Sequence, residues 1–299
     1  MKPLILLASL VAGCSGGSGS LQVFLSAEDT IPNGLQPGTG LENVQDGWTV
    51  TYQKYLVVFG NVRAHRSKDP TSPITDPKVA VYDLRALPSD GLVVSTFNGI
   101  SAERWDKLGF DLAQASAATP NGNNVDAVDY DRMVQNGWSL YFEATLTKPN
   151  GQSCPPVTGA ACVDRTVHHL KWGLNAATAF DDCADPDSSV GGFAVPTGGT
   201  AQIKPTIHGD HWFFDNITQG AEITTRLAQW MVNCDLNGDG ETTTDELMQV
   251  RAAKAFPQPP YVLSGAVIPI RTAFDYLEAQ ARTLGDYNGD GECPTRSKL

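Results

Sequence analysis

The segment Asp235-Leu236-Asn237-Gly238-Asp239-Gly240-Glu241-Thr242-Thr243-Thr244-Asp245-Glu246 sets oxygen-bearing side chains on alternate residues and closes on an acid. Calcium is a hard cation that takes roughly six to eight oxygens, and this pattern suits it. Asp235, Asn237 and Asp239 would wrap the ion from one side. Glu241 would lend its backbone carbonyl, Thr243 would hold a bridging water, and Glu246 would close the site with both oxygens. Gly240 permits the sharp turn that the wrapping needs. The competing reading is an Asn/Asp/Gly turn that caps a helix, with Asp245 and Glu246 serving the helix dipole.

A second loop repeats the opening. Asp286, Asn288 and Asp290 alternate ahead of Gly291 and Glu292, but the twelfth place falls on Ser297, so the bidentate acid is missing. A degenerate partner for the first loop, a weak cation site and a polar turn all remain open readings.

Four of the five histidines fall in two stretches, Val167-His168-His169-Leu170-Lys171-Trp172 and Ile207-His208-Gly209-Asp210-His211-Trp212-Phe213-Phe214-Asp215. If both stretches are strands, alternation points His168 inward with Leu170 and Trp172 while His169 points out. The same rule points Ile203, Pro205 and Ile207 inward and His208 outward, so His169 and His208 would share a face. His211 sits three residues past His208 across a glycine, and the two imidazoles would converge with Asp210 or Asp215 as a carboxylate ligand or orienting group. Imidazoles with a carboxylate suit zinc or copper, which makes His169, His208 and His211 the candidate transition-metal ligands. The plainer alternative has His208 and His211 capping a turn and His168 as a satisfied core residue.

The acidic loop with its helical flanks resembles the EF-hand and, more loosely, the dockerin module. That resemblance covers the loop and its neighbouring helices, not the chain. It departs at the eighth position, where Thr242 stands in place of the usual aliphatic residue; this weakens the short strand contact that paired loops make. The wider layout, with Asp46-Gly47-Trp48, the strand Tyr55 to Gly60, the run Thr206 to His211 and then the acidic loop, resembles bacterial exported lipoproteins to which no activity is assigned. In architecture alone it is similar to periplasmic copper-binding β-sandwich proteins of the methanobactin-associated type. No copper ligand of theirs matches here residue by residue, so none is transferred.

The elements that must position these groups change character along the chain. Residues 1–14 read as a secretory leader: Lys2, a short apolar run, then Val11-Ala12-Gly13-Cys14, too short to span a bilayer. By resemblance to bacterial lipoproteins, Cys14 is the lipidation site and the mature N-terminus, anchored in the cell envelope; Ser15 after it fits sorting to the outer membrane. Residues 15–20 (Ser-Gly-Gly-Ser-Gly-Ser) read as a flexible tether. Residues 21–214 alternate or run apolar in short strands separated by Gly, Pro, Asn and Asp, which predicts a β-sandwich domain. One helix interrupts it near Val125 to Gln135, with Gly137 as its stop. From residue 215 the period turns helical: Ile223, Leu227, Trp230 and Met231, then Leu247 and Val250, then Ile268 to Leu284. The expected fold class is therefore mainly β, a β-sandwich followed by a small α-helical calcium-binding module over residues 215–299.

Charge and cysteines narrow the function. A formal charge of -12 disfavours nucleic acid and favours cations, although much of it is explained by a solvated coat. The exported setting permits disulfides. Cys154 and Cys162 flank a short loop and form the expected pair, while Cys183, Cys234 and Cys293 compete for a second bridge. There is no nucleophile elbow, phosphate loop, dinucleotide fingerprint or His-Glu-x-x-His helix. The dense acids at Asp126, Asp129 and Asp131, and at Asp181, Asp182, Asp185 and Asp187, read as solvated loops rather than paired catalytic carboxylates. Trp212, Phe213 and Phe214 would stack on a sugar or anchor the helical module. The expected function is a non-enzymatic envelope lipoprotein that binds calcium, with copper or zinc at the histidines for metal capture or delivery. Alternatives are a calcium-stiffened adhesion module for a glycan or protein, and a metal-dependent hydrolase.

Overall fold

The computed structural model describes residues 16–186, 190–218 and 224–298. Cys14 with the leader, Asp187 and Ile223 lie outside the described residues. The described chain is mainly β. Its first strands are β1 (Ser18–Ala27), β2 (Thr49–Arg66), β3 (Asp69–Asp83), β4 (Leu92–Ser101), β5 (Arg104–Trp105), β6 (Lys107–Leu112) and β7 (Leu140–Thr147). Next come β8 (Gln152–Ser153), β9 (Val163–Asp164), β10 (Val167–Leu174), β11 (Thr178–Phe180), β12 (Phe193–Ala194), β13 (Thr200–Ile203) and β14 (Pro205–Ile207). The last are β15 (Glu241–Thr243), β16 (Gly285–Tyr287) and β17 (Thr295–Ser297). Helices are short: α1 (Thr30–Asn33), α2 (Ala127–Asn136), α3 (Gln229–Asn233), α4 (Thr244–Gln249), α5 (Ala252–Ala255) and α6 (Ala273–Gln280).

Two larger sheets share one apolar cluster. In the first, β1 pairs antiparallel with β4 and parallel with β13 and then β14, and β14 pairs antiparallel with β16. In the second the order is β15-β10-β7-β2-β6-β11-β17, with β3 also on β2. The apolar run Tyr55 to Phe59 in β2 needs no alternation because both faces are covered. Tyr55, Val57 and Phe59 enter the main cluster with Trp172 and Trp212, while Leu56 and Val58 meet Met133 of α2 on the other side. Helix α2 stands where the sequence expects one, with the Asp126 side chain accepting from the Val128 N–H at its start and Gly137 at its end. Asp129 is not a solvated acid: it is buried and paired with Lys54 at 2.9 Å and Arg132 at 2.8 Å.

Two boundaries differ from expectation. The tether ends early, because β1 begins at Ser18 and Ser18 to Ser20 pair with Ser101, Ile100 and Asn98 of β4. Backbone hydrogen bonding supplies there what Gly and Ser side chains cannot. The expected helical module is also not set apart among the described residues. The α6 helix spans eight residues, and helices this short are marginal on their own in water. The C-terminal segment is instead knitted into the sheets, β15 pairing parallel with β10, β16 with β14 and β17 with β11. Trp230, Met231, Leu247, Tyr276 and Leu277 join the main cluster.

Cys154 pairs with Cys162 as expected, Cys183 pairs with Cys293 across 110 residues, and Cys234 is a buried free thiol. Two disulfides fit an oxidising compartment. No helix among the described residues is long and apolar enough to cross a membrane.

His168 points into the core of β10, as the alternation requires, and His169 points out. The Thr242 hydroxyl donates to the Met231 carbonyl at 2.8 Å, so at 2.9 Å it accepts from His168 Nε2. Burial lowers the His168 pKa to about 4, with the Asp235 charge opposing. The unfolded chain, with its histidine near pKa 6.5, takes up a proton that the folded chain refuses. This term leaves stability whole above pH 6.5 and removes it as pH falls from there to 4, by about 3 kcal/mol. Denaturant unfolding at pH 7 and pH 4 should show wild type losing that much more than His168→Gln; equal losses would contradict the assignment.

Candidate metal centre

Strand β14 stops at Ile207, and the next three residues lead across the end of the sheet into a single 3-10 turn, His211–Phe213. The turn is held from below. Tyr55 Oη donates to the His208 carbonyl at 2.7 Å and accepts from Trp212 Nε1 at 2.9 Å, and Tyr52 Oη donates to the Gly209 carbonyl. A side chain at Gly209 would put its Cβ 2.7 Å from Ile31 Cγ1 of α1, so glycine is what allows this close approach. The Gly209 N–H donates to Glu28 Oε2 at 3.1 Å. Trp212 and Phe213 are fully buried and anchor the turn in the core, whereas Phe214 packs its ring 4.5 Å from that of His211.

His208 and His211 lie ring to ring at 4.7 Å. His208 Nε2 is 3.1 Å from Asp286 Oδ2 and 3.3 Å from the Gly289 carbonyl. Its Nδ1 faces Glu28 Oε2 at 3.5 Å and Asp210 Oδ1 at 3.6 Å, separations too long for good hydrogen bonds. His211 Nδ1 is 2.9 Å from Thr283 Oγ1, and its Nε2 is 4.0 Å from Asp210 Oδ1. Asp210 Oδ2 accepts from Arg226 Nε at 2.8 Å and from Nη2, but Oδ1 is buried with no hydrogen-bond partner. One ligand atom from each of His208, Asp210 and His211 lies within 4.8 Å of the other two. Four-coordinate zinc needs donor atoms about 3.3 Å apart, so modest side-chain rotation closes this set. The unsatisfied Asp210 oxygen between two imidazoles fits a metal ion in donor type and in charge.

The surroundings are acidic. The turn lines a cleft of about 400 Å³ together with Glu28, Glu42, Asp286, Asp290 and Glu292, against Arg226 as the single lysine or arginine among the described residues. Burial works against a charged His208, but the carboxylates of Asp210, Asp286 and Glu28 outweigh it and raise its pKa well above the usual value. Burial and then the His208 charge lower His211 to about 3, so it stays neutral. Burial works against ionised Asp210, and His208 and the Arg226 guanidinium overcome it and hold the carboxyl below its usual range. Burial raises Asp286 and Glu292.

The grouping differs from the sequence expectation in two respects. His169 is not with the other two: it lies exposed on β10, its Nδ1 3.2 Å from Thr145 Oγ1 and its backbone paired with β15. His208 is buried rather than exposed, because the side it shares with Thr206 is itself covered: both residues are buried, with Asp286 and Gly289 of the second acidic loop against them. The second acidic loop does not accompany the first. Its Asp286 lies on His208, Asp290 lines the cleft, and Asn288 clasps Lys204, accepting from the Lys204 N–H at 3.0 Å and donating its own N–H to the Lys204 carbonyl at 2.7 Å. Glu28, Arg226 and Thr283 were not singled out by sequence. Glu28 reaches the site because β1, which it follows, runs parallel to β14, a pairing with no signal in the sequence.

In the first loop, Asp235 is fully buried; its Oδ1 accepts from the Gly238 N–H at 2.7 Å and Oδ2 from the Gly240 N–H at 2.9 Å. Asn237 Oδ1 accepts from the Asp239 N–H and Asp239 Oδ1 from the Glu241 N–H, each at 2.9 Å. Glu246 bonds the N–H of Leu236 and of Thr243, each at 2.9 Å, which gives α4 its capping box. Arg165 lies against the loop, 3.4 Å from Asp235 Oδ2 and 2.8 Å from the Gly238 carbonyl. Gly240 takes φ +91°, and a Cβ there would come 2.8 Å from Arg165 Nη1.

Fold and site together define a mainly β protein with a candidate histidine-carboxylate metal centre. No family model matches the chain, and no curated protein matches it. Among solved structures it is similar to MbnP from Methylosinus trichosporium at 10% identity and a TM-score of 0.36, over 94% of this chain and 98% of that one. A similarity that distant assigns no residue a role.

Proposed function

We propose that this chain is an exported, non-enzymatic metal-binding protein that holds copper or zinc at His208, Asp210 and His211, for capture or delivery at the cell envelope. The observation that carries the reading is the buried, unsatisfied Asp210 oxygen between two imidazoles in an acidic cleft. An ion placed there would satisfy that oxygen and offset the surrounding carboxylates. The leader and Cys14 belong to the same proposal, as a lipid anchor in the envelope. Titrating zinc into the metal-stripped protein should raise its thermal midpoint, with free zinc at a hundredfold over Kd adding about 2.7 kcal/mol. A midpoint indifferent to zinc and to copper would sink the reading.

A metal-dependent hydrolase is the second reading. The three candidate ligands face an open cleft, which leaves space for a fourth, water ligand. Turnover of activated esters by the zinc-loaded protein, lost with His211→Ala, would favour it over a binding role.

Calcium at Asp235, Asn237, Asp239, Glu241 and Glu246 is a separate proposal. The oxygen donors are of the right type and the turn at Gly240 is formed, while Arg165 supplies a competing positive charge. Calcium should raise the thermal midpoint of the wild type and leave that of Glu246→Gln unmoved. Equal shifts in both proteins would place calcium elsewhere.

A further inference from the structure

We propose that Thr283 and Asp286 are positioning residues of the metal centre, and that they fix its two histidines as opposite donors, His208 through Nδ1 and His211 through Nε2. The inference rests on the metal reading given above and concerns how that same site is built.

The argument for His211 starts at a hydroxyl. Thr283 Oγ1 has one proton, and it donates that proton to the Gln280 carbonyl at 2.9 Å. Toward His211 Nδ1, also at 2.9 Å, it has only lone pairs left to offer. The imidazole must therefore carry its proton on Nδ1, and the Nε2 lone pair is turned toward Asp210 Oδ1. For His208 the polarity is reversed. Both neighbours of its Nε2, Asp286 Oδ2 at 3.1 Å and the Gly289 carbonyl at 3.3 Å, accept hydrogen bonds, so Nε2 carries a proton. Nδ1 is left facing the unsatisfied Asp210 oxygen. A carboxylate or hydroxyl behind a ligating histidine fixes its tautomer and ring orientation, and losing one commonly weakens metal affinity about 10–100-fold.

Both acceptors come from one short stretch of chain. Thr283 closes the turn after α6, and Asp286 is the middle residue of β16, which pairs with β14 immediately before His208. The opening of the second acidic loop thus acts here as a clamp on a histidine, not as a cation loop of its own.

The test is NMR of the full chain with nitrogen-15 histidine, metal-stripped and then zinc-loaded, alongside zinc affinities of variants. In the stripped protein His211 should hold its proton on Nδ1. In the loaded protein zinc should sit on Nδ1 of His208 and Nε2 of His211. Thr283→Val and Asp286→Leu should each weaken zinc about 10–100-fold, and Thr283→Ser should restore what Thr283→Val loses. Zinc uptake with the nitrogens reversed, a stripped His211 protonated on Nε2, or an unchanged Thr283→Val affinity would overturn the proposal alone. Uptake of neither zinc nor copper by the wild type would overturn the metal reading and this proposal with it.

Discussion

Replacing Cys183 and Cys293 together by serine is expected to cost about 4–5 kcal/mol of stability and to weaken metal binding in the same protein. The first effect follows from chain entropy: the bridge spans 110 residues, and closing a loop of that length removes more freedom from the unfolded chain than closing a short one. Replacing Cys154 and Cys162, eight residues apart, should cost about half as much on the same scaling. The second effect is local. Cys293 directly follows Glu292, whose carbonyl accepts from the Ala184 N–H at 2.9 Å, so the bridge pins the base of the loop that carries Asp286 to His208. Denaturant unfolding and zinc titration of both double variants would check this. Equal stability losses for the two bridges, or undiminished zinc affinity without the long one, would contradict it.

The next largest effect is expected at Arg226. The residue is 7% exposed, and its guanidinium pairs with buried Asp210 and also donates to the Leu41 carbonyl and to Glu42. Removing one partner of a buried ion pair leaves the other charge uncompensated, so Arg226→Met should cost the metal-free protein about 3–5 kcal/mol. A metal ion on Asp210 supplies replacement positive charge. Saturating zinc should therefore recover more stability in the variant than it adds to the wild type. If zinc adds the same increment to both proteins, Asp210 is not a ligand.

Sequence reading reached as far as local pattern could carry it. The β2 run, the α2 helix with Gly137 at its end, the inward His168 and the pairing of Cys154 with Cys162 all depend on residues within one element or one loop. The spacing of His208 and His211 is local too, and it brought those two residues together. What failed was non-local. Asp286 and Thr283 meet the histidines more than seventy residues away through β14 pairing with β16, and no periodicity announces that partnership. His169 was drawn into the site by treating the outward sides of two strands as one face, whereas β10 and β14 belong to different sheets. The C-terminal segment read as helical because its short helices are, yet the three-residue strands between them, which tie the segment into the sheets, leave almost no signature of their own.

The central claim is that the turn His208 to His211 holds a transition metal, and elemental analysis of the protein purified without chelator or affinity metal tests it most directly. Wild type should carry about one equivalent of copper or zinc, and the His208→Ala, His211→Ala double variant should carry none. Calcium alone in both proteins, with no difference in transition metal between them, would contradict the account.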